Sequence, residues 1–346
     1  MTSIHETFSQ RMLRLSAWAL CCATLPLIFV GGLVTTTDAG MAVPDWPNTY
    51  GYNMFLYPLD WWWAGGWDLF VEHGHRLLGA AVGILAIAVV MLAWKIDDRR
   101  WFRWLTVGVL VAICSQGLLG GMRVRLDARM FAMLHGCTAP LVFALTLIQA
   151  DGARKRTQEG RDGSYAMSRI AANLGVILFA AVFVQLILGA QLRHAPRYGG
   201  DWLSFREFRF LTIFHVLGAL VVTLLIAAFS FVVLRRKSHA SRLRGPAVVL
   251  SFCVLGQVLL GIGSWIVRYG WPWGDENLPE LLRGVLPEHV VTARGFTQTL
   301  IPTAHVAFGA IILAVSALVV ARTAFVVRSA TLPIANPSLS NARAVV

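Results

Sequence analysis

The chain has 346 residues, of which 57% are hydrophobic and only 14% charged. A soluble domain of that size carries roughly a quarter charged residues, so a water-soluble globular enzyme is excluded. The net charge of +12 would suit a nucleic-acid binder, but the charges lie in short segments between long apolar runs rather than on one face, which argues against that class.

Eight runs approach the roughly 20 apolar residues needed to cross a bilayer as helix. In chain order they are Ala17–Thr37, His73–Trp94, Phe102–Met122, Phe131–Gln149, Ile170–Gln191, Thr212–Leu234, Pro246–Arg268 and Leu300–Arg322. The fold class is therefore an all-α polytopic membrane protein, with eight transmembrane helices expected as two pseudo-symmetric four-helix bundles. The first run follows Arg11 and Arg14 as a signal peptide would. It is longer than such a segment's apolar core and shows no clear small-x-small site, so it reads as an uncleaved anchor. When Lys and Arg are assigned to alternating sides, nineteen of the 30 fall on the side of the termini. By the positive-inside rule both termini are cytoplasmic. The loop Asp38–Glu72 has no Lys or Arg and suits export. Its Trp61, Trp62, Trp63 and Trp67 fit an interfacial belt or a short helix on the surface, a stacking site for substrate being the weaker alternative. Tyr269–Thr299 is a second long loop. The five cysteines (Cys21, Cys22, Cys114, Cys137 and Cys253) all fall inside spans with no metal-ligand spacing, and read as small core residues.

Residues 151–169 form a polar linker between an N-terminal half, 1–150, and a C-terminal half, 170–328; 329–346 read as a disordered tail. The halves look related. "QGLLGG" (116–121), "QLILGAQLR" (185–193) and "QVLLGIGSWIVR" (257–268) each fit Q-x-x-L-G near the exported end of an odd-numbered span. Histidines follow near the start of each even span: His75, His135, His215 and His305. This is a parallel repeat, since four spans preserve orientation.

A lone membrane histidine often just bonds a neighbouring helix. Two per four-helix unit at matching depth instead suggest pairs gripping a heme iron from both faces. Small residues one turn on leave room for a flat ring: Gly79 and Gly83 after His75, Ala139 after His135, Gly218 and Ala219 after His215, and Gly309 after His305. Zinc or copper would want three or four converging ligands. His73 and His75 point about 200° apart. The Gly79/Gly83 lane selects His75 as iron ligand, and His73, followed by Leu77, is expected to face the interface. Glu72 lies on His75's face, where it either caps the helix start or handles protons or charge at the porphyrin edge. None of the other three paired histidines has such an acid three residues before it, so one heme is expected to be worked upon and the other resident. Arg76, Arg123, Arg125, Arg193, Arg206, Arg209 and Arg268 gather at the exported ends, suited to heme propionates or to snorkelling.

These residues resemble the heme A synthase family. The likeness runs through "VGGLVTTTDAGMAVPDWP" (30–47), "EHGHR" (72–76), "QGLLGGMRV" (116–124), "LHG" (134–136), "FHVLGA" (214–219), "GQVLLG" (256–261) and "AHVAFGA" (304–310), to about Arg322. The resemblance implies an oxidoreductase that converts a methyl of heme O to the formyl of heme A for cytochrome oxidase assembly. His75 and His135, with Arg76, would hold the substrate heme; His215 and His305 would hold a heme b cofactor; Glu72 would be the catalytic acid near the reacting methyl. The first exported loop lacks the cysteine pair of some members. Expected partners are heme O and its supplying enzyme, membrane lipid, an electron-transfer partner, optionally a second copy of the chain, and no nucleic acid. The expected home is the bacterial inner membrane. The main alternative is a diheme b-type cytochrome that passes electrons from quinol to an exported acceptor and leaves heme unchanged. A parallel-repeat transporter fits less well, because its polar residues would lie at mid-membrane.

Overall fold

The structure is a computed structural model that describes residues 7–154, 165–194, 205–235, 241–269, 293 and 295–331. Its elements are α1 (Phe8–Thr36), α2 (Leu59–Ala64), α3 (Trp67–Ile96), α4 (Arg100–Leu126), α5 (Arg129–Gly152), α6 (Tyr165–His194), α7 (Phe205–Leu234), α8 (Ser241–Tyr269) and α9 (Phe296–Thr331). All but α2 are long and apolar enough to cross a membrane. The chain is a multi-pass helical membrane protein. Most of these helices overrun their apolar runs, because polar ends extend a helix beyond the hydrocarbon that its middle must match. α6 takes in Tyr165–Arg169, which the sequence had given to the linker; 155–164, the tail beyond Thr331 and most of the second long loop lie outside the described residues. The start of α1 is set by a capping box: Gln10 N–H donates to Thr7 Oγ1, and Thr7 N–H donates to Gln10 Oε1, both at 3.3 Å.

The long helices form two closed rings of neighbours. α1, α3, α4 and α5 touch in that order and α5 returns to α1; α6, α7, α8 and α9 do the same. Between the rings α9 meets α5 and α1, and α5 meets α6. Exchanging each helix for its counterpart in the other ring maps these contacts onto themselves, as two parallel repeats require.

α9 is the central helix, buried over more of its length than any other span. Ala310, Ala314 and Ala317 recur on one face and join the first core, with Leu20, Val89 and Phe102. Leu313, Val315 and Val319 join the second, with Leu178, Ile226 and Phe229. Small residues on the first face let backbones approach closely, which is how membrane helices gain packing energy without a hydrophobic drive. At one end Arg322 pairs with Asp151 at 2.7 Å and ties α9 to α5. At the other end lies the loop between α1 and α3, with all four paired histidines.

Candidate functional site

Each histidine lies on a glycine of the preceding long helix. A methyl added at Gly31 (α1) would stand 2.9 Å from His75 Cε1, and one at Gly120 (α4) 3.3 Å from His135 Cε1. At Gly189 (α6) the figure is 3.0 Å to His215, and at Gly261 (α8) 3.1 Å to His305. This is what the Q-x-x-L-G recurrence encodes: the glycine receives the ring, and the glutamine one turn earlier meets it. His135 Nδ1–H donates to the Gln116 carbonyl, and His305 Nδ1–H to the Gln257 carbonyl, both at 3.1 Å. The Gln185 amide lies 3.1 Å from His215 Nδ1 and donates to the His215 carbonyl at 2.7 Å. In His135 and His305 a proton on Nδ1 leaves Nε2 as the lone-pair nitrogen able to bind a metal, and in His305 that nitrogen meets the Gln257 amide at 3.3 Å. The unit Leu27–Gly31 on α1 is a fourth copy. It departs from the pattern at two positions, Leu27 standing for glutamine and Val30 for leucine.

The rings then meet in pairs. His75 and His135 have centroids 6.4 Å apart at 89°, and His215 and His305 6.3 Å apart at 67°. A metal–imidazole bond is about 2 Å, and the ring nitrogen lies about 1 Å from the centroid, so an ion gripped from both sides sets the centroids about 6 Å apart. Both pairs meet that spacing. Buried polar atoms without partners cluster here too: His75 Nδ1 and the Oε1 atoms of Gln116, Gln185 and Gln257. Heme fits this donor set, two imidazoles per iron on an apolar seat.

The loop 37–66 is clamped over the first pair. Glu72 accepts from Val43 N–H at 2.9 Å and from Arg76 at 2.8 Å. Arg76 spends its other donors on three loop carbonyls: Asp45 (2.6 Å), Asn48 (2.8 Å) and Val43 (2.7 Å). The Trp46 indole lies on Gly121 and the Arg123 guanidinium on Gly40, so neither glycine has room for a side chain. Asp45 anchors the turn at Tyr50 and Gly51, whose N–H groups both donate to it at 2.8 Å. Against the desolvation that burial imposes, these two bonds, with Arg76 nearby, hold the Asp45 carboxyl below its usual value. The turn needs a left-handed backbone at Gly51, φ +81°.

Several expectations change. His73 does point away from His75, yet it does not face the interface. It is 2% exposed, its Nδ1 is 3.0 Å from Thr49 Oγ1, and Trp62 and Tyr57 pack on its ring. Trp62 thus serves the docked loop, while Trp61, Trp63 and Trp67 stay exposed. Glu72 is no helix cap, since its partners lie in the loop and on the next turn. Arg76 is engaged by the loop, and Arg123, whose guanidinium lies on Gly40, is a second cation on the side of the first pair. Gly79 and Gly83 do face open space. Gly218 and Gly309 instead face Gln185 and Gln257, so the porphyrin lane read into the second half is taken by glutamine. Arg193 is more than an arginine at a helix end. It crosses between the rings, donating to the Gly32 carbonyl (2.6 Å) and Thr36 Oγ1 (2.7 Å), and Thr36 in turn meets Thr303 at 3.1 Å. Arg125 and Arg209 are exposed, and the side chain of Arg206 lies outside the described residues.

Fold and site thus define a class: a polytopic helical membrane protein with two facing histidine pairs at one end of two linked four-helix rings. Residues 67–274 match the family model of the COX15-CtaA cytochrome oxidase assembly proteins, and the chain belongs to that family. It is similar to proteins named heme A synthase. The one from Allorhizobium ampelinum is 22% identical over 320 residues, covering 76% of this chain and 85% of the relative. That of Shouchella clausii is 26% identical over 256 residues (69% and 80%), and that of Sphingopyxis alaskensis 25% over 304 (73% and 82%).

Proposed function

We propose that the protein is a heme A synthase, an oxidoreductase that converts a methyl group of heme O to the formyl group of heme A. The observation that carries this reading is an asymmetry. Two histidine pairs have nearly equal spacing, and among the described residues only the first stands under a loop fastened to a buried carboxylate, Glu72. The half 1–150 takes the substrate heme between His75 and His135. The half 170–328 holds heme b between His215 and His305. Bound there, heme b supplies one-electron redox chemistry that side chains lack.

The chain's own residues do the rest. Gly31 and Gly120 seat the two rings. Gln116 fixes the proton of His135 on Nδ1. The clamped loop excludes water from the substrate side, which strengthens the charge interactions inside. Glu72 and Arg76 are positioning residues that set this loop, and Arg123 is the cation for a substrate carboxylate. Heme O comes from the enzyme that makes it, and electrons leave for a partner. Both termini lie in the cytoplasm of a bacterial inner membrane.

The test is to extract and chromatograph hemes from a bacterium that makes heme O but no heme A, with and without this protein. Heme A should appear only with it. An unchanged profile, with heme bound to the purified protein, would favour the diheme electron carrier instead.

A further inference from the structure

The four glycine–histidine units differ in one respect that bears on which iron ligand lets go. In three of them a glutamine amide stitches the glycine helix to the histidine helix. Gln116 Nε2–H donates to Thr138 Oγ1 on α5 at 2.5 Å, three residues after His135. Gln185 donates to the His215 carbonyl on α7 and fills the space before Gly218. Gln257 Nε2 lies 3.3 Å from His305 Nε2 and 3.3 Å from where a methyl on Gly309 would stand. Leu27 occupies this place on α1 and has no amide to offer. Gly79, the α3 counterpart of Gly309, accordingly meets nothing within 4 Å. The His75 ring lies on Gly31 as closely as the other rings lie on their glycines, but its Nδ1 is without a hydrogen-bond partner.

A second observation falls on the same seam. A cavity of about 380 Å³ opens between α1 and α3, lined by Val30, Leu33, Val71, Gly74, Leu77 and Leu78 beneath Trp62. Val30 and Gly74 are the chain neighbours of Gly31 and His75. The cavity thus adjoins the one seat whose histidine has no partner on Nδ1.

We propose that His75 is the releasable ligand of the first pair. An iron porphyrin enters and leaves this half by opening on the α3 side, while His135 keeps hold and both second-half ligands stay fixed. Outer partners fix the imidazole tautomer and raise its basicity, and losing one typically costs about 10- to 100-fold in metal affinity. The inference rests on the reading above that the pairs bind heme.

The experiment uses full-length protein purified with its hemes and challenged with excess apomyoglobin, whose Soret band records each heme it captures. His305→Ala identifies the second-half phase by removing it. The wild type should release heme in two phases, the fast one from the first half. Leu27→Gln, which restores the stitch, should slow that phase about tenfold or more. Gln257→Leu should speed the slow phase by a similar factor. If Leu27→Gln fails to assemble, Gln116→Leu tests the same point by loosening His135, and first-half release should quicken. Two hemes leaving at equal rates, or a fast phase unmoved by either first-half variant, overturn the inference and leave the functional reading standing. A preparation with no heme overturns that reading and this inference with it.

Discussion

Replacing Arg76 with leucine should detach the loop that covers the first histidine pair. Arg76 makes four hydrogen bonds of 2.6–2.8 Å, three to the carbonyls of Val43, Asp45 and Asn48 and one to Glu72. The side chains of Arg76 and Glu72 are 8% and 4% exposed, so the pair is a buried one. Removing one member of a buried ion pair costs about 3–5 kcal/mol, because the other charge stays buried with too few partners. Here Glu72 would keep only the Val43 N–H. At about 1.4 kcal/mol per power of ten, the docking equilibrium constant of the loop falls by roughly two to four powers of ten. Arg76→Lys should lie between, since one ammonium cannot span three carbonyls and a carboxylate. Hydrogen exchange read on the loop measures this directly, the Val43 N–H being the reporter because its acceptor is Glu72. Fast exchange at Val43 and along 40–52 in Arg76→Leu is the expected result. Undiminished protection there would refute the view that this pair holds the loop, and Arg76 would return to candidacy as a ligand for substrate.

Other outcomes follow from the same contacts. Gly31→Ala and Gly189→Ala each put a methyl 2.9–3.0 Å from an imidazole carbon, so each should displace one ring and lower heme content in its own half only, read by pyridine hemochrome. Arg193→Met removes two bonds from a charged donor to α1, worth about 1.5–3 kcal/mol each before compensation. It should lower the thermal midpoint in detergent without changing the heme absorption of either half. The Asp45 carboxyl is held below its usual value, so the anchorage it gives is present above the unfolded-state pKa and is lost as pH falls through the lower folded value. Loop exchange should therefore rise on acidification below about pH 4, near the ordinary aspartate range. Asp45→Asn should show the faster exchange already at neutral pH.

How much of this was legible beforehand depends on the range of the contacts. The eight spans are written in apolar runs, so composition alone exposes them. The helix starts are not. α3 begins at Trp67 rather than His73 because Glu72 and His73 are helical residues buried by the loop, and no local rule announces that burial. The four paired histidines were visible from spacing, since each repeats at the same depth. His75 was separable from His73 by the period of the helix. What covers His73 was not, since Thr49 and Trp62 reach it through a loop whose docking is non-local. The role of Gly31 was hidden because Leu27 and Val30 break the Q-x-x-L-G pattern that marks Gly120, Gly189 and Gly261. Arg193 shows the same limit. Its acceptors are on α1, more than 150 residues away, and a cation near the end of an apolar helix reads as snorkelling unless that neighbour is known.

The measurement nearest the central claim is the heme profile of membranes carrying the wild type, His75→Ala, His73→Ala or His305→Ala in a heme O-producing host. Heme A should form with the wild type and vanish with His75→Ala, while the purified His75→Ala protein keeps one b-type heme. His73→Ala should retain heme A at a level reduced by loosened loop packing. Heme A persisting without His75, or no heme A from the wild type, would contradict the account.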